Sequence, residues 1–302
     1  MAPHPPRIAN KIRRENFYAL QKRAKQQDRL ARRAEQRRVE KNDPAAKERR
    51  LAANVPATIE SKREYDETMV KVDADILALE DATDEFASCL NGSITPKMLI
   101  TTSKDPSAKL HLFSAELVDC FPNCTYVKRG HRFELEQIAA FASNRSYTDL
   151  LIINEDQKKP NGLLLIHLPA GPTAYFRLSS VQPAAEIAGH GRATCHKPEL
   201  ILNNFSTRLG HTVGRFFQSL FPLLPQFEGR QVVTLHNQRD FIFFRRHRYI
   251  FKDTEKVKLQ ELGPRFTLKL RRLQRGIHDR KNGVVEWEFK QKMETSRRKF
   301  FL

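Results

Sequence analysis

The sequence predicts an α/β fold of two similar halves behind a basic helical N-terminal arm, and three observations carry that reading. From Lys97 onward, short apolar runs of strand length alternate with amphipathic helical stretches. Landmarks return at a fixed spacing, since Lys97, Leu117 and Phe121-Pro122 are followed by Lys197, Phe217 and Phe221-Pro222. Upstream of both copies, residues 1–63 hold eighteen Lys/Arg against seven Asp/Glu, with too few apolar residues to bury a face.

The arm from Lys11 to Arg50 is rich in Arg, Lys, Gln, Glu and Ala, all good helix formers, and has no Gly. Its apolar positions, such as Ile12, Phe17, Leu20, Leu30 and Val39, are sparse, so packing cannot hold it in isolation and it is expected to be helical when bound. Two readings stay open for it: a solvated tail, or an arm that follows RNA or a partner. The basic clusters Lys11-Ile12-Arg13-Arg14 and Arg37-Arg38 also suit nuclear import. Residues 64–86 invert the charge, with nine acids and one base, and read as an acidic linker.

In the first half, Met98 to Thr102 reads as a buried strand and Ser107 to Phe121 as a helix whose Leu110, Phe113, Leu117 and Val118 share a face. Glu134 to Ser143 gives a second helix. Strands follow at Leu150 to Ile153, Leu163 to Ile166 and Tyr175 to Leu178, the first two joined by a turn at residues 159–162. The order then restarts with a strand at Glu199 to Leu202 and a helix from Leu209 to Phe221, followed by strands at Val232 to Leu235, Phe241 to Phe251 and Arg265 to Leu270. Gly171-Pro172 precedes Ala174, Phe176 and Leu178 as Gly263-Pro264 precedes Phe266, Leu268 and Leu270, so both copies point alternate residues inward. The expected division is an arm at 1–63, a linker at 64–94, a core domain at 95–275 with halves 95–190 and 191–275, and a C-terminal extension at 276–302.

Charge separates the halves. Residues 97–190 hold ten bases and nine acids, whereas 191–302 hold twenty-four and ten. Within 235–275 twelve Lys/Arg face four Asp/Glu, although the segment forms strands. One-signed charge on a rigid sheet raises self-repulsion and suits a polyanionic partner, and a net charge of +18 makes nucleic acid the expected one. An anionic membrane is the other candidate for a basic chain. No run of about 18 apolar residues is present, and residues 1–30 lack the apolar core of a signal peptide, so a soluble, intracellular protein without a membrane partner is expected. Cys89, Cys120, Cys124 and Cys195 are too scattered for a disulfide framework.

The candidate RNA-binding residues sit where cations interrupt strand patterns. Arg245 and His247, with Tyr249, take one face of the strand at 241–251, and Arg246 and Arg248 take the other. Because Phe266, Leu268 and Leu270 claim the core, Arg265, Thr267, Lys269 and Arg271 turn outward. Arg239, Arg272 and the arm residues Lys11, Arg13 and Arg14 complete the set. Guanidinium forks suit phosphates and stack on bases, as His and Tyr also do. Some of these cations are expected to pair with Glu261, Asp240 or Asp253, and Phe241, Phe243 and Phe244 read as core rather than base platforms.

Enzyme chemistry finds no footing. His190, Cys195 and His196, and the pair Cys120 and Cys124, lack paired CxxC spacing, so no metal is expected. Nothing supplies a nucleophile turn, and no GxxxxGK[ST] phosphate loop or other cofactor motif occurs.

Four runs carry a family resemblance: Met98 to Thr102, Asp149 to Glu155, Gly210-His211-Thr212-Val213-Gly214-Arg215-Phe216-Phe217, and Gln260-Glu261-Leu262-Gly263-Pro264-Arg265-Phe266-Thr267-Leu268-Lys269-Leu270. Together they resemble the Brix domain of ribosome-assembly factors. That resemblance implies halves similar to the anticodon-binding domain of class II aminoacyl-tRNA synthetases. It further implies a nuclear, nucleolar factor binding precursor ribosomal RNA in pre-60S particles, with a dedicated partner of the Mak-sixteen family. The leading expectation is therefore a non-catalytic RNA-binding assembly factor. The alternative is a scaffold whose basic face takes acidic protein segments, and a tRNA-handling accessory domain follows from fold analogy alone.

Overall fold

The computed structural model describes residues 9–69, 84–253, 256–279 and 282–302; the middle of the expected acidic linker, residues 70–83, lies outside the described residues. The chain divides into two compact units, residues 1–62 and 63–302.

The first unit is helical, as its composition requires. Helix α1 (Lys11–Asn42) starts at Asn10, whose side chain accepts from the amides of Ile12 and Arg13, and it buries none of its residues. Asp43 then caps α2 (Pro44–Ala53), with Pro44 at the first turn, where its missing N–H costs nothing.

The second unit is built on one sheet. In chain order its elements are α3 (Ala87–Leu90), β1 (Met98–Thr102), α4 (Ala108–Cys120), β2 (Cys124–Tyr126), α5 (Leu135–Ser143), β3 (Asp149–Asp156), β4 (Lys159–His167), β5 (Thr173–Gln182), β6 (Glu199–Asn203), α6 (Arg208–Ser219), β7 (Gln231–Gln238), β8 (Phe241–Phe251), β9 (Val257–Glu261), β10 (Arg265–Gln274) and β11 (Val285–Glu288). The strand order is β2-β1-β3-β4-β5-β10-β8-β7-β6, with β9 joined to β8 and β11 to β10. Reading outward from the β5–β10 pair, β4, β3 and β1 on one side mirror β8, β7 and β6 on the other. The sequence repeat is thus a pseudo-two-fold in the sheet, and cis Gly-Pro bonds at 171–172 and 263–264 open its two central strands.

Both halves build one core. Helices α4 and α6 lie on the same sheet face, where Phe113, Leu117, Phe176, Phe216, Phe217, Phe244, Phe266 and Leu268 form a single buried cluster. Repeat-related Phe121 and Phe221 meet there with ring centroids 5.4 Å apart. On the opposite face of the first half, α5 sets Ala139 and Ala142 on Leu150, Ile152, Leu164 and Ile166.

Residues outside the expected core domain also join it. Phe86, 0% exposed, packs on Phe216 at 5.0 Å, and Asp84 pairs with Arg215 at 2.5 Å. At the other end β11 pairs with β10, and Leu302 is buried against Gly210, where a Cβ would sit 2.8 Å from the Leu302 carbonyl carbon. The Asp240 carboxylate accepts from the amides of Phe301 and Leu302 at 2.7 and 2.9 Å. Burial pushes the Asp240 carboxyl above its ordinary value. A few apolar side chains suffice to fix each segment, too few to give a sequence period.

Candidate nucleic-acid interface

In the second half, no helix among the described residues covers the sheet face that α5 covers in the first. Strand alternation decides what that face carries. Because Ile242 and Phe244 pair with Leu268 and Phe266 on the core side, Phe241, Phe243, Arg245, His247, Thr267 and Lys269 point the other way. Arg177 of β5 is directly across from Lys269 and belongs to the same surface. A register shift between Leu270 and Arg272 against β5 adds Arg271 beside Lys269.

Individual cations on this face are held in place. Arg245 donates to its own strand at Phe244 O, 2.8 Å, and lies over the Phe243 ring at 5.8 Å. Burial draws its guanidinium below the ordinary value, as it does the His247 imidazole. Arg265 makes a two-pronged bond to Glu261, with its Nε at 2.8 Å from Oε1. Lys269 donates to Glu294 at 2.5 Å and lies between the rings of Phe241 and Phe289, at 4.8 and 4.4 Å. Arg271 covers the same Phe289 ring at 4.4 Å.

The expected site residues therefore separate. Arg245, His247, Arg265, Lys269 and Arg271 are brought together. Arg248 is exposed on the other side of β8, Arg239 is exposed in the left-handed turn between β7 and β8, and Arg272 is half-buried opposite Glu288 of β11. Lys11, Arg13 and Arg14 are exposed in the first turn of α1, where the helix dipole disfavours cations and favours an anion.

Arg246 is a correction. It is 2% exposed, with Nη2 donating to Gln231 Oε1 at 2.7 Å and Nη1 to Cys120 Sγ at 3.7 Å. Its alternation with Ile242 and Phe244 puts it in the core, where α4 closes over it, so it cannot reach RNA. The aromatic assignment also changes. Phe244 is core, but Phe241 is 38% exposed on the cationic face and Phe243 lies half-buried beside Arg245. Of the expected carboxylate partners Glu261 pairs as read, whereas Asp240 serves the backbone at Phe301 and Leu302.

Phe289, Glu294 and Arg177 escaped the sequence reading as site residues. Arg177 carried a signal, since the repeat aligns it with Lys269 on the outer face. Phe289 and Glu294 arrive from the C-terminal segment, whose sequence has no period to align.

Burial pushes the thiols of Cys120 and Cys124 up to about 12, which leaves no thiolate at neutral pH. Among the described residues no group of three or more His, Cys, Asp or Glu is arranged to hold a metal ion, and no helix is long and apolar enough to cross a membrane.

The chain matches the family model of the Brix domain over residues 103–272. A Brix domain-containing protein of Schizosaccharomyces pombe is 52% identical to it, over 98% of this chain and 99% of the relative. Ribosome production factor 1 of Saccharomyces cerevisiae is 50% identical, over 98% and 97%. A crystal structure of a probable ribosomal biogenesis protein from Aeropyrum pernix K1 aligns with 65% of this chain and 99% of its own, at 16% identity and a TM-score of 0.45.

Proposed function

The chain belongs to the Brix domain family, and from that premise we propose that it is a non-catalytic ribosome-biogenesis factor. On this reading it holds precursor ribosomal RNA of the large subunit on the cationic sheet face of its second half. Membership with ribosome production factor 1 among its relatives supports the role in ribosome biogenesis. The observation that carries the RNA reading is the unequal covering of the sheet. The first half packs α5 on its outer face, and the second presents Arg177, Arg245, Lys269 and Arg271 there without a helix. Phosphate contacts from such a face supply affinity and leave sequence selection to other parts of the particle. The proposal includes residence in the nucleus and nucleolus, within pre-60S particles, beside a Mak-sixteen family partner.

The test is the salt dependence of RNA binding by the full chain carrying Arg245→Ala/Lys269→Ala/Arg271→Ala. Each phosphate neutralised on single-stranded RNA contributes a slope of about −0.7 in log affinity against log salt, so the triple variant should flatten the plot by about two units. A wild-type slope would move RNA off this face.

A second reading has its own observation. Glu261 and Glu294 already dock on Arg265 and Lys269, so the face accepts carboxylates from protein. A scaffold for acidic protein segments would use the same cations. It predicts retention of the partner after nuclease treatment and no loss of RNA from the triple variant.

A further inference from the structure

One row across the sheet joins Arg177 of β5, Lys269 of β10 and Phe241 of β8, each directly opposite the next. Like charges facing each other across strands destabilise a sheet, so the Arg177–Lys269 pair is a local cost that folding does not require. Arg271 adds a third cation. These residues, with Ser179, Phe289, Gln291 and Glu294, line an open basin of about 760 Å³. It has three cations, one carboxylate and two aromatic rings.

The single carboxylate is placed differently from the cation it meets. The Lys269 side chain is 11% exposed and lies between two rings, whereas Glu294 is 54% exposed at the rim. The ammonium is fixed by the sheet, and the carboxylate reaches it from a short strap that follows the single 3₁₀ turn at Gln291–Met293. Lys269 holds the Glu294 carboxyl below its ordinary value, so the strap presents an anion at neutral pH. An RNA phosphodiester offers the same charge and acceptor oxygens, and it brings a base with it. Phe241 and Phe289 flank the cations, and aromatic rings stack on bases of any sequence once those bases are unpaired.

We infer that this basin binds one unpaired nucleotide of RNA, its phosphate on Lys269, Arg271 and Arg177 and its base on Phe241 and Phe289, with Glu294 occupying the phosphate position until RNA displaces it. The inference rests on the proposed RNA face and gives it a substrate class, single-stranded RNA. Duplex RNA, whose bases are stacked and paired, could use only the cations.

The experiment uses the full chain with a short single-stranded oligoribonucleotide carrying one central 2-aminopurine, and the same strand annealed to its complement. The single strand should bind more tightly than the duplex, with its 2-aminopurine fluorescence quenched. Glu294→Gln should tighten binding about two- to fivefold, the range expected for releasing a cation from an ion pair whose carboxylate is exposed to solvent. Phe241→Leu keeps an apolar side chain but loses the ring face, and should abolish most of the quenching and weaken binding about fivefold or more at an unchanged salt slope. Arg177→Ala, at an exposed position, should weaken binding and flatten the slope.

Three outcomes overturn the inference. Equal binding of both probes, with quenching indifferent to Phe241→Leu, would sink the basin and leave the RNA face standing as a phosphate surface. Weaker binding by Glu294→Gln would show that Glu294 supports the site and does not occupy it. Failure of the wild-type chain to retain either probe, with capture of polyglutamate instead, would remove the RNA face and the basin together.

Discussion

The two halves of the sheet share strand order and core and differ in what lies on the far face. In the first half, Leu150, Ile152, Leu164 and Ile166 are apolar there because α5 covers them. In the second half, β8, which mirrors β4, carries Phe241, Phe243, Arg245 and His247 on that face, and no helix covers them among the described residues. The shared interior fixes one face of every strand, so the halves differ on the other face. A sheet face without a covering helix is expected to be polar, yet it need not be of one sign. The near-neutral first half, with ten bases and nine acids over 97–190, shows that the fold is built without an excess of positive charge. The surplus in the second half is therefore not a requirement of the fold.

The strongest way to break this comparison is to ask whether the halves are separable. Phe244 is stacked on Phe266 at 4.3 Å in the second half, and Leu165 is fully buried in the first half's share of the same cluster. Phe244→Ala should cost about 3–5 kcal/mol and Leu165→Ala about 2–5 kcal/mol. Because the core is common, urea unfolding followed by circular dichroism and by Trp287 fluorescence should stay a single coincident transition in both variants, at a lower midpoint. Two separated transitions would mean that each half folds on its own, and the shared-core account would fall.

A smaller effect sharpens the distinction between charge that holds the fold and charge that meets a ligand. Arg246 and Arg245 are neighbours on β8, but only Arg246 points into the core. Arg246→Ala leaves a cavity and strands the Gln231 carbonyl, which should cost about 2–4 kcal/mol. The salt slope of RNA binding should not change. Thermal melting and a salt titration on the same variant measure both quantities, and a flattened slope would return Arg246 to the interface.

Much of this was legible in residue spacing. Phe121-Pro122 and Phe221-Pro222 announced the repeat, and the alternation of Phe266, Leu268 and Leu270 with Arg265, Lys269 and Arg271 set the two faces of β10 correctly. Arg246 was misplaced because alternation separates a strand's faces without saying which one is buried. A signal for that was present. The interval from Pro122 to Asp149 holds the amphipathic segment of α5, whereas Pro222 to Gln231 is too short for any such helix, so the second half lacks a helix at the matching place to cover its outer face. The remaining elements lacked a usable signal. Strand β2 spans only Cys124–Tyr126, β9 is solvent-exposed along all but its last residue, and α3 is a single turn. Their places are set by contacts distant in sequence, such as Phe86 on Phe216 and Phe289 on Lys269 and Arg271.

The smallest expected effect concerns His247, which has opposite consequences for the fold and for the ligand. Burial lowers its folded-state value below the ordinary 6.5, with Arg245 and Arg265 adding repulsion and Glu261 opposing it. Between the lowered value and 6.5 the unfolded chain binds more protons than the folded one. Stability from this group is therefore complete above about pH 6.5 and is lost as pH falls through the folded value. Since the ring is only half-buried, solvent screening holds the change below about 1 kcal/mol. If this face holds RNA as proposed, RNA affinity should move the other way, because protonation in acid adds a cation to it. Subtracting the profile of His247→Gln from that of the wild type, in denaturant titrations and RNA binding between pH 7.5 and 5.5, isolates this group from the other histidines. Two difference curves of opposite sign are expected. Curves of the same sign, or a flat RNA difference beside a sloping stability difference, would take His247 off the ligand face and leave it a packing residue between β8 and β9.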